Sequence, residues 1–207
     1  MEVGPQSMAR RYDRDESVRL LLEASAEEFA RHGVGGARID RIADRAEVNK
    51  ASIYSYIGNK DDLFEATLQS KLGELAKTVA IQSDDLAAYA GDLFDFLTAD
   101  PSVAWLFEQE GLHYGADDVP ALAERSDYFQ SRVAAVRAAL DSEGDADGDA
   151  EAIFFSIIAM CYWFVAAPQL VRMVFGDVSD EEAKRRYRSH VVATAEAMVT
   201  RRGSTVP

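Results

Sequence analysis

An all-α fold is what this sequence predicts, and three observations carry the expectation. Only five prolines punctuate 207 residues, and Ala, Leu, Glu, Asp and Arg dominate over β-branched runs. Apolar residues recur at three- and four-residue spacing, and no strand-like alternation of useful length appears. With 48% apolar and 28% charged residues, a chain of this length buries one sizeable core or two modest ones.

The first helix is expected over 17–32, where Val18, Leu21, Leu22, Ser25 and Phe29 share one face and Gly33 follows as a stop. Residues 1–16 lack the apolar run of a signal peptide and read as a loose arm, with Met8 as a second candidate start. After the flexible GVGGAR, the spacing of Ile39, Ile42, Ala43 and Ala46 predicts a short amphipathic helix over 39–46. Glu47 and Val48 form a turn, Asn49 is a good N-cap, and 50–56 makes a third helix with Ile53 facing inward. Gly58 and Asn59 break it. Asp61 and Asp62 open a fourth helix, with Leu63, Phe64, Thr67, Leu68 and Leu72 on its buried face.

Longer helical segments follow over 84–99, 101–114, 120–142, 150–174 and 179–202, with Pro101 and Pro120 near helix starts, where proline is tolerated. The acidic stretch 143–149, EGDADGD, is expected to be a solvated loop. It has the flavour of a calcium loop, but Phe154 stands where the bidentate glutamate is needed.

A net charge of −14 argues against a nucleic-acid partner for the chain as a whole, since phosphate neutralisation supplies most non-specific affinity. The distribution removes the objection. Residues 8–60 hold ten basic against nine acidic side chains, whereas 61–207 hold twelve against twenty-six.

Two short helices joined by a tight turn, over 39–56, have the form of a helix-turn-helix, whose second helix enters the DNA major groove. Lys50, Ala51, Ser52, Ser55 and Tyr56 supply the contact face. Ala51 lets the backbone approach, Lys50 reaches a guanine edge or a phosphate, and the hydroxyls of Ser52, Tyr54 and Tyr56 donate to phosphate oxygens. The backbone amides at the start of the fourth helix offer another phosphate site, weakened by Asp61 and Asp62.

The run FARHG followed by IDRIADRAEVNKASIYSYIGNKDDLF resembles the DNA-binding domain of the TetR family of transcriptional regulators, over roughly residues 17–68. The resemblance implies base or near-base contacts from Lys50, Ala51, Ser52 and Tyr56, phosphate contacts from Tyr54 and Lys60, and a core of Ile42, Ala43, Val48, Ile53 and Phe64. Three positions depart from the pattern. Glu47 stands where glycine is usual, which implies strain if φ is positive. Arg38 replaces a Ser or Thr cap and adds a candidate phosphate contact. Ile57-Gly58 replaces an aromatic-proline pair, which implies a looser link to the fourth helix.

The resemblance further implies an all-helical homodimer on a palindromic or pseudo-palindromic double-stranded operator, with a helix-turn-helix DNA-binding domain over 9–60 and a helical regulatory and dimerisation domain over 61–207. Repression would be relieved by a small-molecule effector. Residues 152–171 carry no charge over about a membrane-span length, but Pro168 and Gln169 at one end, Glu151 at the other and the lack of a second span favour a dimer interface. A hydrophobic or aromatic effector is expected among Trp105, Tyr128, Phe129 and Trp163, oriented by Glu108, His113 or Arg132. A Glu108 site favours a cation and an Arg132 site an anion.

Glu110 and His113 have metal-ligand spacing, yet no second such pair exists, so no metal is expected. Cys161, the one cysteine, forms no internal disulfide. It reads as a buried small hydrophobe in a reducing, cytoplasmic protein. No catalytic triad, Walker loop or dinucleotide fingerprint is present, and neither an enzyme nor a cofactor is expected. A ligand-binding helical module without DNA function, or an enzyme using scattered residues, are the alternatives.

Overall fold

A computed structural model of the chain describes residues 5–79, 85–116, 118–142 and 149–200, the side chains of 5–13, 142 and 200 excepted. Among the described residues ten α-helices follow one another: α1 (Pro5–Gly36), α2 (Ile39–Ala46), α3 (Lys50–Tyr56), α4 (Lys60–Thr78), α5 (Leu86–Ala99), α6 (Ser102–Tyr114), α7 (Leu122–Ser142), α8 (Ala150–Ala166), α9 (Pro168–Phe175) and α10 (Asp180–Thr200). There is no strand among the described residues. The all-α expectation holds. Residues 143–148 of the expected acidic loop lie outside the described residues.

Two compact units divide the chain, one holding 1–74 with 105–120 and the other 75–104 with 121–207. In the first, Leu21, Ser25 and Phe29 of α1 are fully buried, with Ile42, Ala43, Ile53, Leu63, Phe64 and Leu68 from the next three helices and Leu106 from α6. Phe29 meets Phe64 edge to face, with ring centroids 5.2 Å apart. Each of the buried Leu, Ile and Phe side chains contributes about 1.5–3 kcal/mol of transfer free energy.

Helix α1 is longer at both ends than periodicity indicates. It begins at Pro5, so the expected loose arm is helical backbone from there, with Pro5 as a tolerated first residue. Arg19 pairs with Glu16 and Glu23 one turn away on either side. Gly33 still interrupts it with φ 67°, but the expected flexible segment recoils into helix to Gly36 because Val34 is buried.

The second unit is built on α5, whose Tyr89, Ala90, Leu93, Phe94 and Leu97 are buried. Phe94 meets Phe164 of α8 at 5.1 Å, and Phe164 stacks on Tyr187 of α10 at 5.0 Å. Gly91 allows the close approach of α10: a Cβ there would lie 3.0 Å from Arg188 Nη2 and 3.2 Å from Val192 Cγ2. Arg188 in turn holds Asp95 through Nε at 2.8 Å and Nη2 at 2.7 Å. Cys161 is fully buried with its Sγ 3.5 Å from the Ala90 carbonyl, and burial pushes its thiol up to about 12. It is the small hydrophobe expected, with no thiolate character.

The apolar run expected as one helix over 150–174 is two. Pro168 has no amide to continue the ladder, so α8 ends at Ala166 and α9 leaves at 88°. Among the described residues no single helix is long and apolar enough to cross a membrane.

Candidate nucleic-acid interface

Helices α2 and α3 are set by local chemistry that the sequence already names. At the end of α2, the Val48 amide donates to the Ala43 carbonyl at 3.0 Å and the Glu47 amide to the Asp44 carbonyl at 3.4 Å. This closure requires a left-handed residue at position 47, and Glu47 takes it with φ 55° and ψ 33°. Asn49 then caps α3, its Oδ1 accepting the Ala51 amide at 2.8 Å. Ile53, fully buried, anchors α3 to the core.

That anchoring turns the opposite face outward. Lys50, Ala51, Tyr54 and Ser55 are exposed, and Ser52, Tyr56 and Lys60 are half-buried. Arg14 of α1 lies over the Tyr56 ring at 5.1 Å, a cation–π contact outside the motif. Lys50 Nζ pairs with Asp40 Oδ1 at 2.6 Å, and Lys60 Nζ lies 3.5 Å from the Gly35 carbonyl. The hydrogen bond and charge of Lys50 hold the Asp40 carboxyl below its usual range, and Asp40 raises Lys50 in the same way.

Arg38 is exposed at the N-cap of α2 and makes no side-chain cap there. Its place is taken from a distance. Glu28 of α1, only 1% exposed, accepts the Arg38 amide on Oε1 at 3.0 Å and Arg41 Nε on the same oxygen at 2.8 Å. Burial alone would raise the Glu28 carboxyl, but the bonds from Arg41 and the Arg38 amide, with His32 nearby, hold it below the ordinary value. Sequence reasoning missed this residue. The available signal was a glutamate beside Phe29 on the buried face of the first helix.

Two expectations at the start of α4 are corrected. The Ile57-Gly58 link is not loose: Asn59 Oδ1 accepts the amides of Asp61 and Asp62 at 2.8 and 3.1 Å, and Asp62 Oδ2 accepts the Asn59 amide at 2.8 Å. This is a reciprocal capping box, and it occupies the amides expected to offer a phosphate site. Gly58 fits it with φ 133°, where a Cβ would fall 2.2 Å from Asp62 Oδ2.

The seven residues expected around an effector fall in both units. Trp105 and Glu108 are half-buried and His113 is exposed in the first, where His113 Nε2 lies 3.4 Å from Asp61 Oδ1. In the second, Arg132 lies 4.7 Å over the Tyr128 ring, Tyr128 meets Phe129 at 5.4 Å, and Phe129 meets Phe154 at 6.4 Å. Trp163 is 55% exposed. A cavity of about 260 Å³ opens in the second unit between α7 and the start of α8, beside the Arg137–Glu151 ion pair, and none of the seven lines it. Among the described residues no three acidic, histidine or cysteine side chains gather as a metal site.

The family described as bacterial regulatory proteins, tetR family, matches residues 21–67, and the tetracyclin repressor-like C-terminal domain matches 85–197. The chain belongs to the TetR family. The HTH-type transcriptional repressor SCO4008 of Streptomyces coelicolor is 40% identical over 157 residues, covering 75% of this chain and 82% of that protein. The crystal structure of SCO4942, also from Streptomyces coelicolor, matches with a TM-score of 0.72 and 26% identity, over 87% of this chain and 96% of that one. FadR from Bacillus subtilis, solved in complex with stearoyl-CoA, shares the fold with a TM-score of 0.62 at 16% identity, over 88% of this chain and 97% of that one. A TetR-family chain is a DNA-binding transcriptional regulator, and its helix-turn-helix is α2 with α3.

Proposed function

We propose that this TetR-family chain is a cytoplasmic repressor that binds a two-fold symmetric operator as a homodimer and is released by a small effector. The observation that carries the DNA part is the outward face of α3, where Lys50, Ala51, Tyr54 and Ser55 stand exposed around the buried anchor Ile53. In this reading Lys50, Ala51, Ser52 and Tyr56 meet base edges or the groove floor, while Arg38, Tyr54, Ser55 and Lys60 meet phosphate.

The homodimer reading is supported by α8. Ala152, Phe155, Ala159 and Trp163 form one exposed stripe on it, with Phe155 72% and Trp163 55% exposed. An apolar stripe of that size on a helix otherwise packed in a core fits burial against a second copy. Trp163 then serves the interface. The effector reading centres on Tyr128, Phe129 and Arg132, the members of the expected set that the second unit brings into contact. Trp105, Glu108 and His113 of the same expected set belong to the first unit.

The test is equilibrium binding of the whole chain to a random-sequence duplex across a salt series. Affinity must fall as salt rises, by about 0.9 log units per log unit of salt for each phosphate contact. Binding that ignores salt, or none at low salt, overturns the reading.

A further inference from the structure

A carboxylate on a surface that meets DNA repels phosphate, and Asp40 is such a carboxylate. It stands in the first turn of α2, its side chain 63% exposed, with Oδ1 2.6 Å from Lys50 Nζ at the start of α3. Arg38, two residues earlier, also acts on it electrostatically. Asp40 therefore pairs directly with one of the cations assigned to DNA and acts electrostatically on a second. Stability accounts for little of it, because an ion pair this open to solvent and an exposed acid in the first turn of a helix each contribute little to folding.

We infer that Asp40 is a specificity-determining residue, which neutralises and orients Lys50 so that random DNA is penalised more heavily than a cognate site. The inference rests on the reading of Lys50 as a DNA contact. An ammonium group has three donors. One spent on Asp40 leaves two for the O6 and N7 of a guanine, with the flexible lysine stem already held in place. On a duplex lacking that guanine, Lys50 gains only by swinging to a phosphate. It must then leave Asp40, whose charge faces the DNA backbone uncompensated. A lysine that is already paired also displaces fewer counterions from the DNA, so the salt dependence of random binding is shallower than the number of cations implies.

Asp40→Asn keeps the size of the side chain and removes its charge. Asp40→Asn, Lys50→Ala and the double variant are titrated with a random-sequence duplex and with a duplex enriched by the wild-type chain, each across a salt series. Asp40→Asn is expected to bind the random duplex roughly tenfold more tightly, with a salt slope steeper by about 0.9. It should gain less on the enriched duplex, so that the ratio of the two affinities falls, and the gain should vanish when Lys50 is also alanine. Wild-type affinity and slope on the random duplex, while Lys50→Ala weakens binding, would overturn the inference and leave the DNA reading standing. A gain that survives in the double variant would overturn it equally. If Lys50→Ala changes neither duplex, the assignment of Lys50 to DNA fails, and this inference falls with it.

Discussion

The backbone amide of Arg38 donates to Glu28 Oε1 at 3.0 Å, so a buried carboxylate on α1 caps α2 across ten residues of sequence. Arg41 donates to the same oxygen, and His32 Nε2 lies 3.8 Å from the other. The orientation of the helix-turn-helix against α1 thus depends on one ionised group inside the core. In the unfolded chain this carboxyl titrates at its ordinary value, and in the folded chain below it. Its stabilisation is therefore fully present above the unfolded value and is lost as pH falls through the folded one. Glu28→Gln should flatten that acid limb and cost about 1–3 kcal/mol at neutral pH. Urea melts at a series of pH values measure both, and an unchanged acid limb in the variant would count against the network.

Glu47 holds a left-handed conformation, φ 55°, that costs an L-residue roughly 1–2 kcal/mol. Glu47→Gly should raise the urea midpoint by the equivalent of about 0.5–1 kcal/mol, less than the full strain because glycine also loosens the unfolded chain. A variant no more stable than wild type would mean that the turn is unstrained.

Lys50 and Lys60 should fail differently. Lys50→Ala is expected to cost about 1–3 kcal/mol on an enriched duplex and to relax preference at one base pair. Lys60→Ala should weaken all sequences alike and reduce the salt slope by about one unit. Titration of both variants against matched and substituted duplexes separates a base contact from a phosphate contact. Identical behaviour would dissolve the distinction.

Phe155 and Trp163 lie two turns apart on the exposed stripe of α8. A charge placed there should be silent in a monomer and disruptive in a dimer. Phe155→Glu and Trp163→Glu are each expected to shift the chain toward monomer in sedimentation equilibrium and to lower DNA affinity, with helix content unchanged. A wild-type sedimentation profile for both would move the interface elsewhere.

The helix-turn-helix was legible because its signals are local. Asn49 as a cap, the spacing of Ile39, Ile42, Ala43 and Ala46, and Ile53 as an anchor each act within a few residues, and α2 and α3 have the bounds expected. The capping of α2 by Glu28 left only one trace in the sequence, a glutamate on the buried face of the first helix, because it joins positions ten apart through space. The box at Asn59 and Asp62 was present as a pattern, yet glycine and asparagine together read first as a break. At 152–171 continuous hydropathy masked the effect of one proline. For the effector, spacing along the chain carries no information on which aromatics pack together, so residues as near in sequence as His113 and Tyr128 belong to different units.

In the proposed function two copies of α3 read DNA. Selection of bound fragments from random duplex DNA by the wild-type chain at low salt tests it most directly. Enrichment of a two-fold symmetric sequence is expected, with half-sites about one helical turn, or a multiple of it, apart. No enrichment, or enrichment of an asymmetric single site, would contradict it.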